Sequence, residues 1–79
     1  MIFAYVLRST KDNKRYIGIS NNLDRRLREH NQGLVKATKN RGPFKVIHFE
    51  QFNNYADARK REKFFKSGKG REFLKKINH

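Results

Sequence analysis

Residues 2–7, Ile2-Phe3-Ala4-Tyr5-Val6-Leu7, and after a polar interval Tyr16-Ile17-Gly18-Ile19, are rich in β-branched and aromatic side chains. That composition suits a pleated, partly buried surface. The interval contains Lys11-Asp12-Asn13-Lys14, and Asp and Asn tolerate turn dihedrals, so the two segments are expected to pair as an antiparallel hairpin. Downstream, Asn21-Asn22 can cap a helix whose apolar positions Leu23 and Leu27 are spaced i, i+4, with Gly33 placed to stop it. This predicts a helix from about Leu23 to Gln32. Gly33 to Pro43 reads as a basic loop carrying Lys36, Lys39 and Arg41, suited to touching phosphates. Phe44 to Phe52, beginning after the only proline, is the third expected strand. From Tyr55 the pattern is helical, with Tyr55, Ala58, Glu62 and Phe65 on one face. Ser67-Gly68 then breaks the chain before a last helix with Phe73, Leu74 and Ile77. The order β-β-α-β-α-α predicts an α+β fold, a small three-stranded antiparallel sheet flanked by helices, as one domain over 1–79.

The 79 residues hold Lys+Arg 20 against Asp+Glu 7, a formal net charge of +13. Such an excess is self-repelling unless a polyanion lies close. Nucleic acid is the first partner this implies, since each Lys or Arg contact to a phosphate releases condensed counterions. The basic residues are spread along the chain rather than gathered on one amphipathic helix, which argues against a membrane surface. Cysteine is absent and His30, His48 and His79 are scattered, so neither disulfides nor a zinc cluster is expected to staple the domain. With no signal-peptide pattern and no bilayer-length apolar run, a cytoplasmic location is expected.

Three groups of residues carry possible chemistry. Glu62 lies on the helix face shared with Tyr55, Ala58 and Phe65, where a carboxylate is costly unless paired or bound to a cation. It is either one half of a salt bridge or a ligand for a hard divalent ion. Arg26 and His30 are spaced i, i+4 on the first helix beside Leu23 and Leu27, and should point partly inward; the plain alternative is ordinary surface chemistry. Tyr5 and Tyr16 stand on the two hairpin strands, with Gly18 on the same face as Tyr16. They form either an aromatic cross-strand contact over a glycine or two exposed phenols beside a ligand site.

Taken in order, Tyr5, Tyr16-Ile17-Gly18, Asn22-Leu23, Arg26, His30 and Glu62 resemble the GIY-YIG nuclease family across nearly the whole chain. Tyr16-Ile17-Gly18 is the second half of the family signature, and Phe3-Ala4-Tyr5 is similar to the first half with its tyrosine kept. Arg41-Gly42-Pro43-Phe44 resembles the end of the basic loop in short single-domain bacterial members. The module is also similar to the N-terminal nuclease domain of the excinuclease of nucleotide-excision repair, although Ile19 stands where those repair enzymes carry lysine.

The resemblance implies a metal-dependent, structure-selective endonuclease that hydrolyses DNA phosphodiester bonds, RNA not excluded, and leaves 5′-phosphate and 3′-hydroxyl ends. It implies one divalent ion, Mg²⁺ or Mn²⁺, on Glu62, with Arg26 stabilising charge on the phosphoryl oxygens. Tyr5 would take the proton of the attacking water and Tyr16 would orient it, while His30 would place the phosphate or serve as the alternative base. The rival functions are a non-catalytic, sequence-tolerant nucleic-acid-binding module and a ribosome-associated RNA-binding protein. Charge alone accounts for both rivals, but not for the ordered Tyr, Arg, His and Glu set.

Overall fold

A computed structural model describes residues 1–77, so His79 and the last two positions of the expected 1–79 domain lie outside the described residues. The strands β1 (Ile2–Ser9), β2 (Arg15–Ser20) and β3 (Phe44–Phe52) form one antiparallel sheet in the order β2-β1-β3. Helix α1 (Leu23–Asn31) follows the hairpin, and α2 (Tyr55–Lys66) and α3 (Gly68–Ile77) complete the expected order. Among these helices none is long and apolar enough to cross a membrane.

The unbroken apolar run of β1 follows from its central place, because a strand covered on both faces cannot alternate apolar with polar. Ala4 and Val6 face a cluster with Phe65 of α2 and Leu74 of α3. Tyr5 and Leu7 face the opposite way, against Phe44, Tyr16, Leu23 and Leu27. The sheet is thus the middle layer, with α1 on one face and the α2–α3 pair on the other. Asn22 caps α1 by accepting from the Arg25 amide at 3.0 Å, and Gly33 at φ +76° ends it, as the sequence predicts. At the hairpin tip Asn13 takes φ 61°, the left-handed conformation that Asn tolerates.

Two expectations need correction. The segment Gly33 to Pro43 is not wholly irregular, because Lys36–Thr38 forms a short 3₁₀ turn that drives Thr38 to full burial. The α2 face is also narrower than its periodicity suggests. At about 100° per residue, Ala58 and Phe65 lie together while Tyr55 and Glu62 lie about 60° to one side. Ala58 and Phe65 are accordingly buried, whereas Tyr55 is 46% exposed.

The two C-terminal helices meet over glycine. A Cβ on Gly70 would overlap the Phe64 carbonyl, so only glycine lets α3 start so close to the end of α2. Ser67 makes the joint: its hydroxyl donates to the Phe64 carbonyl at 2.6 Å and accepts from the Gly70 amide at 3.1 Å.

Candidate active site

The site is built on the α1 side of the hairpin. Tyr5 of β1 and Gly18 of β2 are direct cross-strand partners, and the phenol of Tyr5 lies over the glycine. A Cβ there would fall 2.5 Å from Tyr5 Oη and 3.3 Å from the Tyr16 ring. Any other residue at position 18 would therefore displace Tyr5. The Tyr5 side chain is 1% exposed, so of the two arrangements open to the tyrosines, the contact over a glycine is the one observed at Tyr5.

Tyr5 Oη lies 3.0 Å from His30 Nε2, and His30 Nδ1 lies 2.7 Å from Thr38 Oγ1. His30 sits about 20° from Leu23 around α1, near the middle of the buried face, and is 1% exposed. Its inward direction is therefore complete rather than partial. The tautomer with hydrogen on Nδ1 satisfies all three groups at once: Nδ1–H donates to Thr38 Oγ1, the Thr38 hydroxyl donates on to the Val35 carbonyl at 3.4 Å, and Nε2 accepts the Tyr5 O–H. Tyr16 packs its ring 4.9 Å from that of His30.

Burial, and then the positive charge of Arg26, hold His30 below its ordinary value of 6.5. It is neutral at neutral pH. Burial also raises Tyr5 above its ordinary value of 10.0, against a lowering hydrogen bond from Arg26, and the Tyr16 and Glu62 charges raise it further. The phenol keeps its proton in this state. Arg26, about 60° from Leu23 on the same helix, has a third of its side chain exposed and donates from Nη1 to Glu29 Oε1 at 3.0 Å. Glu29 first, and then Tyr5, hold that guanidinium protonated.

Glu62 reaches the site from α2. Its carboxylate, one-fifth exposed, accepts from Lys66 Nζ at 3.3 Å across one helical turn. Among the described residues no three His, Cys, Asp or Glu side chains gather as a metal cluster, so a zinc-type site is not built here. A single accessible carboxylate fits a hard divalent ion that draws most of its ligands from water and substrate phosphate.

The expected phosphate-contacting residues divide. Lys36 and Lys39 are exposed on the 3₁₀ turn and just after it. Arg41 pairs with Asp12 at 3.4 Å and lies over the Phe44 ring at 5.7 Å, so it ties the loop to the hairpin tip. Two contributors went unnoticed in the sequence. Glu29 could have been found, because it stands i+3 from Arg26. Thr38 could not, because it meets His30 only through the path of the loop.

The family model for the GIY-YIG catalytic domain matches residues 1–78. A UPF0213 protein of Clostridium perfringens is 42% identical over 67 residues, covering 84% of this chain and 71% of its own length. A UPF0213 protein of Listeria welshimeri is 48% identical over 65 residues, covering 81% and 71%. The solution NMR structure of a UPF0213 protein from Bacillus halodurans superimposes with a TM-score of 0.57 at 31% identity, covering 98% of this chain and 85% of that one. With its three-stranded antiparallel sheet, its helices and its tyrosines, arginine, histidine and glutamate in family order, the chain belongs to the GIY-YIG nuclease family, among its short bacterial members.

Proposed function

We propose that this protein is a metal-dependent endonuclease that hydrolyses DNA phosphodiester bonds, selecting nucleic-acid structure rather than sequence and leaving 5′-phosphate and 3′-hydroxyl ends. The observation that carries this reading is the Tyr5–His30 contact at 3.0 Å beside Arg26 and Glu62. The neutral His30 beside Tyr5, the Arg26 cation held by Glu29, and a Glu62 carboxylate whose charge acts on Tyr5 support the reading.

A buried phenol is a poor base, so Tyr5 acts with His30. As the water oxygen attacks phosphorus, its proton passes to Tyr5 Oη while the phenol's own proton passes to His30 Nε2. The histidine can accept because burial and Arg26 keep it neutral. Tyr16, packed on His30, orients the water. Arg26, held by Glu29, stabilises the charge gathering on the non-bridging oxygens while the bond to the 3′ oxygen breaks. A divalent ion, Mg²⁺ or Mn²⁺, held by Glu62 would supply Lewis acidity at the scissile phosphate. The leaving oxygen takes its proton from solvent.

The test uses labelled flaps, junctions, nicked duplexes and single strands with Mg²⁺ or Mn²⁺. Glu62→Gln should stay folded and bind DNA at least as well as the parent, while cleavage falls by about a hundredfold or more. Unchanged cleavage refutes Glu62 as the ligand. The near-complete burial of Tyr5 favours a second reading, a non-catalytic nucleic-acid-binding module. A parent that binds but leaves every substrate intact selects that module.

A further inference from the structure

The Glu62–Lys66 pair leads away from the site into a groove of about 780 Å³ between the hairpin and the α2–α3 helices. It is lined by Lys14 and Arg15 from the hairpin, Lys66 from α2 and Arg71 from α3, together with the partly exposed Tyr16 and Ile17, behind which Phe65 and Leu74 are buried. No acidic residue lines it. Among the described residues, the side chains of Lys14, Arg15 and Arg71 enter no ion pair, and Lys66 has only Glu62. Gathering like charges around one groove is unfavourable in the free protein and becomes favourable once a polyanion spans them.

The groove is continuous with the candidate site at two points. Tyr16 lines it and also packs on His30. Lys66 lines it and also pairs with Glu62. A chain lying in the groove would therefore run up to the Glu62 carboxylate. Alternating phosphates and sugars match this lining, since four cationic side chains stand beside the partly exposed Tyr16 and Ile17.

We propose that this groove is a nucleic-acid backbone site, in which Lys14, Arg15 and Arg71 hold phosphates of the strand adjoining the candidate site and the partly exposed Ile17 supports the sugars. It shares no lining residue with the basic loop of Lys36 and Lys39. It rests on the reading of the protein as one that acts on nucleic acid, but not on catalysis.

The experiment compares two triple variants that remove equal charge. Lys14→Gln/Arg15→Gln/Arg71→Gln clears the groove, and Arg59→Gln/Lys60→Gln/Lys63→Gln clears the exposed flank of α2. Each is titrated with a labelled DNA at several salt concentrations in the presence of chelator, with folding checked by thermal melt. The groove variant should lower the slope of log affinity against log salt by about two to three, at about 0.7 to 0.9 per lost phosphate contact, and weaken binding more than tenfold at low salt. The flank variant should change the slope by less than about half a unit. Equal losses in both variants, or a groove variant with the parent's slope, would overturn the proposal. Because cleavage is not read, an inactive parent leaves the result standing, and an active parent with an unaltered slope removes the groove alone.

Discussion

Thr38 has no charge and no exposed surface, yet it is the partner of the His30 nitrogen turned away from Tyr5. Its hydroxyl is 2.7 Å from Nδ1 and 3.4 Å from the Val35 carbonyl, an arrangement that favours hydrogen on Nδ1 and a lone pair on Nε2. Thr38→Val preserves shape but removes that hydroxyl. We expect cleavage to fall by about tenfold to a hundredfold with little change in DNA affinity, and Thr38→Ser to restore most of it. Equal losses of affinity and cleavage would mean that Thr38 only shapes the loop. His30 itself gives a pH signature. Its folded value lies below the ordinary 6.5, so the unfolded chain binds the proton more readily, and the stability His30 contributes is present above pH 6.5 and lost as pH falls below it. Melting temperatures between pH 7 and pH 5 should decline in the parent and decline less steeply in His30→Gln. Parallel slopes would refute the linkage. Arg26 is a geometric case, for Arg26→Lys keeps charge but loses the planar fork. A drop of about tenfold or more in cleavage at near-constant affinity is expected, whereas parallel losses would reduce Arg26 to a binding residue.

At the level of elements, β3 is joined to α2 by a polar cluster that contributes nothing to the site except its position. Arg61 donates to both Glu50 oxygens, at 2.8 and 3.2 Å, and its guanidinium lies 4.4 to 5.1 Å from the ring centroids of Phe64, Phe65 and Phe73. His48 completes the cluster at 2.7 Å from Glu50. Burial raises Glu50, but Arg61 and His48 outweigh it and hold the carboxyl below its ordinary 4.5. Arg61→Lys loses both the fork and the stacking, so α2 should loosen against the sheet, with a cost of about 1–3 kcal/mol and a melting temperature lower by several degrees. A wild-type melting temperature would show that the cluster is decorative. The strands and helices were legible because their signals are local: the β1 run, the Asn22 cap, the Gly33 stop and the Ser67-Gly68 break each act within a few residues. The order of the tyrosines, Arg26, His30 and Glu62 is what singled them out, and the structure brings Tyr5 and Tyr16 onto His30. Contacts that depend on the path of the chain were not legible. The pairing of Arg41 with Asp12 and the groove between Lys14 and Arg71 join elements far apart in sequence, and Thr38 meets His30 from eight residues away across a helix end and a loop, where periodicity carries no information. Gly70 stands near Phe64 in sequence, but its need for a bare Cα comes from how closely α3 approaches the Phe64 carbonyl, which no local pattern encodes.

For the whole molecule, the net charge of +13 on 79 residues sets folding and binding in opposite response to salt. In the free protein the cations repel one another, and the few ion pairs among the described residues, such as Asp12–Arg41 and Glu50–Arg61, leave most of that charge unneutralised. Added salt screens this repulsion, whose range shrinks from about 30 Å at 0.01 M to about 10 Å at 0.1 M ionic strength. The free protein should therefore melt at a higher temperature as salt increases. With DNA the sign reverses, because bound polyanion stabilises the folded state in proportion to its affinity, and that affinity falls as salt competes for the phosphates. The increment that DNA adds to the melting temperature should be largest in dilute buffer and vanish by high salt, so that the curves with and without DNA converge. A thermal melt series across salt concentrations, with a short duplex and chelator, reads both trends at once. A free-protein melting temperature indifferent to salt would mean that the cations are too far apart or too well paired to repel. A DNA increment that persists at high salt would mean that contacts other than phosphate neutralisation dominate binding, and the view of this surface as sequence-tolerant would have to be abandoned.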